Sequence, residues 1–509
     1  MYFHKRFILY FIIGVSLVTR FIGLENLPGV NGDEAWAATK ILSYTHGESV
    51  GWYTGAGIIR PIDPFFLIIL LILHSFFTPS FFILRFSSTL ISITTVILSF
   101  FLFRRIFSKQ TALLITTLIA TLPVHLAFSR YAWEPSVVPL AVLISLYFSF
   151  RHRFFLTGLF FIWAMIVHPT SIFLAPVLLA PFLEVLLRRN KTNKTSTQRI
   201  LIVALCGIAL TTAFIYLSYT HKGAINYLQI FKNVAGRISD GKQFLGFFSL
   251  YSQFISGIHI YRSVIGLTTT SMRIYQYLFL GIIGILFITT MFLALTKKER
   301  DKYLLTYGLF ISLIIFFLLA GNESITAGLE RFTIWMTVPS CVWFVMAFEK
   351  LGRWIQRRSF APIATIGLTS AFLATFQYQY FFILPQKNST THPTYLTGEI
   401  EPKKAAFEAI DRIRDREKYT VILTPDFWLY WSIKYLSFSR QNYYVQDIDY
   451  TVSKGWKATK PEGKYQVFYV DWSNNKLPQT FLRTNNLLVI SSIKGYAGQN
   501  ILNVFSILD

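Results

Sequence analysis

The chain has 509 residues, of which 53% are hydrophobic and 17% aromatic, and its mean hydropathy is +0.48. Only 14% are charged, against about 25% in an ordinary soluble domain, which excludes a soluble globular chain and predicts a polytopic membrane protein. The net charge of +23 does not point to nucleic acid, because the basic residues gather in short connections between apolar runs, the pattern of membrane orientation by cytoplasmic Lys and Arg.

The opening run, MYFHKRFILYFIIGVSLVTRFIG, has the outline of a signal peptide. No small-residue cleavage site follows it, so a retained first helix is expected. Further apolar runs at 81–103, 111–128, 134–150, 154–168, 171–187, 199–219, 274–295, 303–320, 331–348 and 360–383 bring the expected transmembrane helices to about eleven. The segment 61–77 is apolar but short and carries Pro61 and Pro64. Counting it as a span would place Arg104 and Arg105 on the wrong face, so an interfacial or re-entrant helix is expected. Cys206 and Cys341 lie inside apolar runs and suggest neither a disulfide framework nor a thiolate metal site.

The basic clusters fall in alternate connections: His4–Arg6, Arg104 and Arg105 with Lys109, Arg151–Arg153, 188–194, 297–302 and 349–358. That face is taken as cytoplasmic. The other face receives external loops at 24–80 and 220–273, short turns near 129–133, 169 and 321–330, and the C-terminal tail. Two units are therefore expected, a transmembrane unit over 1–383 and a small extracytoplasmic α/β domain over 384–509. In the tail, 401–418 reads as an amphipathic helix after Pro402, and 419–424, 442–448, 465–472, 486–492 and 500–508 read as strands. A further helix is expected near 426–437.

The first external loop carries GVNGDEAWAATK, with Asp33 and Glu34 adjacent in a chain of only 25 acidic residues. A carboxylate at the membrane surface can take a proton from a hydroxyl nucleophile or ligate a divalent cation. A pair can divide those tasks, and Asp33 and Glu34 are the only metal ligands the sequence suggests. The plainer reading is a solvated turn opening a helix. Arg60, Arg130 and Arg331 fall on the same external side. Their planar forks suit a lipid-borne phosphate, although arginine at a helix end often only snorkels. Glu134, His168 and Glu330 lie in neighbouring turns and are candidate substrate contacts. No nucleotide-binding loop, zinc spacing or nucleophile elbow is present.

The order of these pieces carries a resemblance. RPIDPFF, SFFILRFSSTLISITTVILSFFLFRRIFSK, LPVHLAFSRYAWEPS, GLFFIWAMIVHPTSIFLAPVLL and ERFTIWMTVPS follow the Asp-Glu loop in sequence. Over roughly residues 5–350 the chain resembles membrane glycosyltransferases of the GT-C fold, and is most similar to the protein-mannosyltransferase-like and aminoarabinose-transferase-like group in its bacterial or archaeal form. That resemblance implies a multi-pass protein of a prokaryotic cell membrane. It implies a hexosyl- or pentosyltransferase that moves sugar, usually with inversion, from a polyprenyl-phosphate carrier to an extracytoplasmic protein, lipid or glycan acceptor. It places Asp33 as the catalytic aspartate, Glu34 as its companion, Arg60 at the carrier phosphate, Arg130 and Arg331 at the family's basic positions, and His168 in its His-Pro turn. No cofactor is required, and a divalent cation is optional. The family's two consecutive prolines are split here by Ile62 and Asp63, which affects the setting of Arg60. No WWDYG-like motif occurs, which disfavours an N-linked oligosaccharyltransferase. The competing functions are a lipid-linked sugar transporter or flippase, which predicts charge at mid-membrane and inverted repeats, and a non-catalytic scaffold, which predicts that Asp33 tolerates replacement.

Overall fold

The computed structural model describes residues 2–51, 62–189, 246–266, 270–295, 304–320, 330–386, 393–448, 462–474 and 486–508. Fifteen helices precede the tail among these residues. They are α1 (Tyr2–Phe21), α2 (Gly32–Thr45), α3 (Pro64–Phe76), α4 (Phe81–Phe103), α5 (Lys109–Thr121), α6 (Pro123–Phe128), α7 (Val138–Phe150), α8 (Phe154–Val167), α9 (Ala175–Arg189), α10 (Gly246–Ser256), α11 (Ile258–Ile265), α12 (Thr270–Leu295), α13 (Leu304–Ala320), α14 (Thr337–Trp354) and α15 (Phe360–Gln377). The expected span at 199–219 lies outside the described residues, as does Cys206. The other ten expected spans fall on helices.

Length sorts these helices. Among the described residues, four stretches are long and apolar enough to cross a membrane by length and composition: Phe81–Phe103, Thr270–Met291, Arg331–Trp354 and Phe360–Gln386. The remaining apolar helices run 10–17 residues and reach only about 15–25 Å, short of the roughly 30 Å hydrocarbon core. The expected crossings thus divide into full-length helices and shorter apolar ones. The segment around 61–77 is one of the short ones. Asp63 caps α3 by accepting from the Phe66 N–H at 2.9 Å, and Pro64 occupies the first turn, where its missing N–H costs nothing.

Proline sets the other breaks. Pro123 starts α6 and ends the hydrogen-bond ladder of α5. Short 3₁₀ turns at Glu134–Val137 and Pro169–Leu174 contain Pro135 and Pro169, and a third 3₁₀ turn spans Glu330–Met336. The segment expected as an external loop, 220–273, differs in its described part: 246–265 forms the buried helices α10 and α11. Phe247, Leu250, Tyr251, Phe254 and Ile255 repeat at three- and four-residue intervals and face the core. Gly257, at φ +76°, turns the chain between the two helices against Pro123.

Among the described residues, the connections after α4 and α7 and the end of α14 lie at one end of the bundle. Thr111 at the start of α5 donates to Glu349 near the end of α14, and Phe107 meets Phe150 edge-on at 5.4 Å. The opposite end holds α2, the 3₁₀ turns and the tail. There α16 (Pro402–Ile413), α17 (Phe427–Ser437) and five strands, β1 (Tyr419–Thr424), β2 (Tyr443–Asp447), β3 (Tyr465–Trp472), β4 (Asn486–Lys494) and β5 (Asn500–Leu508), form a sheet of order β2-β1-β3-β5-β4. β1 pairs parallel with β2 and β3, and β5 pairs antiparallel with β3 and β4. The β1-α17-β2 crossover follows from the helical period between two apolar strands.

The tail is fastened to the loop that carries Asp33. Val30 donates its N–H to Glu401 Oε1 at 2.9 Å and accepts from Thr394 Oγ1 at 2.7 Å, so both of its backbone polar groups are held by the tail. Glu401 is buried and paired with Lys403 at 2.7 Å. Asn31 Nδ2 donates to the Tyr395 hydroxyl, and Tyr435 of α17 bonds both His74 Nε2 at 2.8 Å and the Ser80 carbonyl at 3.1 Å. At Gly29 the two chain segments pass too closely for a side chain: a Cβ there runs into the carbonyl oxygens of Thr394 and Leu396. Gly29→Ala is therefore expected to lower stability by about 1–3 kcal/mol or more, the usual cost of overpacking, and to speed proteolysis between the tail and the bundle. Unchanged thermal unfolding and proteolysis would contradict this packing.

Candidate functional site

The pair Asp33-Glu34 opens α2, and the two residues do different things. Asn31 is the N-cap; its side chain accepts from the Asp33 N–H at 2.9 Å, and its own N–H donates to Glu34 Oε1 at 3.0 Å. This is a capping box with Glu34 in the third helical position. The box turns Glu34 inward to 1% exposure, against Arg85 of α4. Arg85 Nε meets Glu34 Oε2 at 3.0 Å and Nη2 meets Oε1 at 3.2 Å, a two-point ion pair. The Ala132 N–H adds a bond to Oε2 at 2.9 Å. All the acceptor capacity of Glu34 is turned inward. Asp33, one position earlier and about 100° round the helix, remains half-buried.

Two arginines secure the loop beneath. Arg85 Nη1 and Nη2 donate to the carbonyls of Leu24, Pro28 and Gly29 at 2.8–3.2 Å. Arg130, fully buried, donates to the carbonyls of Thr19, Arg20, Ile22 and Leu27. The first three are the unpaired carbonyls that every helix C-terminus leaves, here those of α1. A buried carbonyl without a donor costs free energy, and these guanidinium groups supply the donors where water does not reach. The terminal nitrogens of Arg130 are spent on backbone, and its flat face lies 5.0 Å from the Phe381 ring. Its Nε makes no hydrogen bond but is buried with the rest of the side chain.

Arg331 is placed differently. It is the second residue of the 3₁₀ turn before α14, half-buried, with its guanidinium 4.8 Å from the Trp133 ring. It is close enough to Asp33 for its charge to act on the carboxylate. Burial raises the Asp33 pKa above the ordinary carboxylate value, Arg331 pulls it back, and Glu34 adds to the rise. His168 lies beside the same turn, its ring 5.5 Å from Phe332 and its Nδ1 2.7 Å from Thr170 Oγ1. Glu134, next to Trp133, is buried and accepts from the Asp63 N–H at 3.1 Å. Asp63 Oδ1 in turn accepts from Trp163 Nε1 at 2.9 Å.

Segment 131–134 is the hub of this end: Ala132 bonds Glu34, Trp133 underlies Arg331, Glu134 holds Asp63, and the Tyr131 hydroxyl meets that of Tyr380 at 3.2 Å. Asp33, Arg331, His168 and Glu134 come together around it. Arg60 lies outside the described residues, and so does the side chain of Glu330. The sequence reading did not single out Arg85, Asp63 and Trp133. Arg85 had a signal, a charge inside an apolar run, and Asn31-x-x-Glu34 fits the capping-box spacing. Among the described residues, no group of three or more His, Cys, Asp or Glu side chains converges as metal ligands. Glu34 is committed to Arg85, and the charge of Arg331 acts on Asp33.

No family model matches the chain, and no curated protein matches it. Among solved structures, the chain is similar to the archaeal oligosaccharyltransferase AglB from Archaeoglobus fulgidus in complex with an inhibitory peptide and a dolichol-phosphate, at 12% identity and TM-score 0.49, over 92% of this chain and 69% of that one. It is also similar to ArnT from Cupriavidus metallidurans bound to undecaprenyl phosphate, at 13% identity and TM-score 0.41, over 97% of both chains. A third similarity is to the arabinofuranosyltransferase AftD from Mycobacteria, at 9% identity and TM-score 0.42, over 98% of this chain and 40% of that one. All three TM-scores lie below 0.5, so the functional conclusion rests on this chain's own residues.

Proposed function

We propose that this multi-pass membrane protein is a GT-C-type glycosyltransferase that moves a sugar from a polyprenyl-phosphate carrier to an extracytoplasmic hydroxyl, with Asp33 as general base. One observation supports this most: a half-buried carboxylate, held on a locked helix start, beside an arginine that comes from nearly 300 residues later in the chain. Asp33 takes the proton of the acceptor hydroxyl. The acceptor oxygen forms a bond to the anomeric carbon from the face opposite the phosphate, and the bond from that carbon to the phosphate oxygen breaks. The carrier phosphate leaves with the electron pair, and configuration inverts. The developing negative charge needs fixed cations. We assign Arg331 that role because its charge acts on Asp33, and the resemblance gives Arg60 the same role. Glu34, Arg85 and Arg130 act as positioning residues for the loop. No nucleotide is needed, because the leaving phosphate is already activated.

The test offers one sugar on two carriers, polyprenyl phosphate and a nucleoside diphosphate. Consumption of the lipid-linked form alone is expected, and use of the nucleotide sugar would contradict the reading. The pH dependence gives a second test. Ionised Asp33 is the active form, so the rate rises with pH through its pKa. Arg331 favours the ionised form, so Arg331→Ala is expected to move that rise to higher pH, and Arg331→Lys to return it. A rate lowered equally at every pH, with the rise unmoved, would assign Arg331 to phosphate alone.

A further inference from the structure

The end of the bundle opposite Asp33 contains a cavity of about 650 Å³ between α5, α9, α13, α14 and α15. We propose that this cavity and its rim form a binding site for the phosphate headgroup of an anionic membrane phospholipid. The assignment does not depend on the chemistry at Asp33.

The rim is cationic. Lys350, Arg353, Arg357 and Arg358 line the cavity among the described residues, against a single carboxylate, Glu349. That carboxylate accepts from the Thr111 hydroxyl at its Oε1. The arginines are brought there by a built turn. α14 ends at Trp354, and Gln356 adopts a left-handed φ of +56°. The Arg357 N–H then reaches back to the Gly352 carbonyl at 2.7 Å, the six-to-one bond of a Schellman-type stop. The close pass leaves no room for a side chain at position 352, where a Cβ would lie 2.9 Å from the Arg357 carbonyl oxygen. This reversal carries Arg357 and Arg358 back to the cavity that Arg353 already borders.

Phe107, Phe150 and Met346 give the wall an apolar part, beside the hydroxyls of Thr111, Thr290 and Thr306. A volume of this size falls within the roughly 300–1,000 Å³ of small-molecule sites. Basic residues that merely snorkel to the interface need no cavity. Here four of them surround one whose lining also holds apolar side chains. Trp354 and Ile355 are exposed beside them, Trp354 at 63%. An exposed indole at the end of a membrane-length helix sits at headgroup depth, so the guanidinium groups stand at the level of lipid phosphates. A free phosphate would meet the charge but has no use for the apolar wall. A phospholipid matches both, and anionic headgroups are the kind that basic pockets between membrane helices select.

The test uses the full chain purified in detergent and stripped of lipid. Retention of phosphatidylglycerol, phosphatidylcholine and inorganic phosphate is followed by native mass spectrometry during titration. Two charge-matched variants are compared: Arg357→Ala with Arg358→Ala at the rim, and Arg104→Ala with Arg105→Ala at the same end but away from the cavity lining. Arg357, Arg358, Arg104 and Arg105 are all exposed, so both variants should fold, which thermal unfolding checks. The expected result is preferential retention of phosphatidylglycerol, weakened about 10–30-fold in the rim variant and less than about twofold in the control. Arg357→Lys with Arg358→Lys should retain most of the binding. Equal retention of phosphatidylcholine, equal losses in the two alanine variants, or full displacement of the lipid by inorganic phosphate would each overturn the proposal.

Discussion

Asp33→Asn is expected to reduce sugar transfer by about 10²–10⁴-fold, the range that a positioned general base contributes, while donor binding stays near that of the wild type. Asparagine keeps the shape and the N-terminal helix position but cannot take a proton. The same substitution should leave thermal stability at neutral pH unchanged or higher. Burial raises the Asp33 pKa in the fold, so the folded protein holds this proton more tightly than the unfolded chain. The contribution of Asp33 to stability is therefore fully present at pH below the unfolded carboxylate value and is lost as pH rises through the folded value. At neutral pH ionised Asp33 is a net cost, which asparagine removes. The advantage of the variant should shrink as the pH is lowered and Asp33 becomes protonated. Activity lost together with stability would make Asp33 structural, and activity retained would remove it as the base.

Glu34 should behave in the opposite way although it is the next residue. Glu34→Ala leaves the buried Arg85 guanidinium without its carboxylate, and Arg85→Ala leaves Glu34 charged in a dry site. Removing one partner of such a pair costs about 3–5 kcal/mol. Arg85→Ala also strips donors from the carbonyls of Leu24, Pro28 and Gly29, each a further loss of about 1–3 kcal/mol if no water replaces the donor. The double variant Glu34→Gln with Arg85→Met should lose less than the sum of the single losses, because no buried charge remains unbalanced. Equilibrium unfolding in mixed micelles reads these differences. A Glu34→Ala protein of wild-type stability with selectively lost turnover would move Glu34 from a positioning role to a catalytic one.

The contrast between these neighbours shows where sequence reasoning stopped. An acidic pair outside the first apolar run was legible. Which member turns inward depended on the capping box and on an arginine 51 residues away, and the box alone was readable, in the spacing of Asn31 and Glu34. Arg130 stood in a suggestive motif, yet its partners are the carbonyls at the end of α1, which no local pattern announces. The tail was far more legible. Residues 419–424, 465–472 and 500–508 were read as strands with the bounds observed, because apolar runs between turn residues specify short strands locally. Sheet order and the docking of Glu401 onto Val30 were not legible, since both are contacts between distant segments. In 220–273, the apolar period of 246–256 was overlooked because the stretch is too short for a span, and shortness does not exclude a buried helix.

The most direct measurement compares purified wild type and Asp33→Asn, both folded, with polyprenyl-phosphate sugars and a cell-envelope acceptor extract, following polyprenyl phosphate by mass spectrometry. Release by the wild type and its loss in the variant, with donor still bound by both, is the result predicted for Asp33 as the base of lipid-dependent sugar transfer. Equal release by the two proteins, or donor bound by both and discharged by neither, would contradict it.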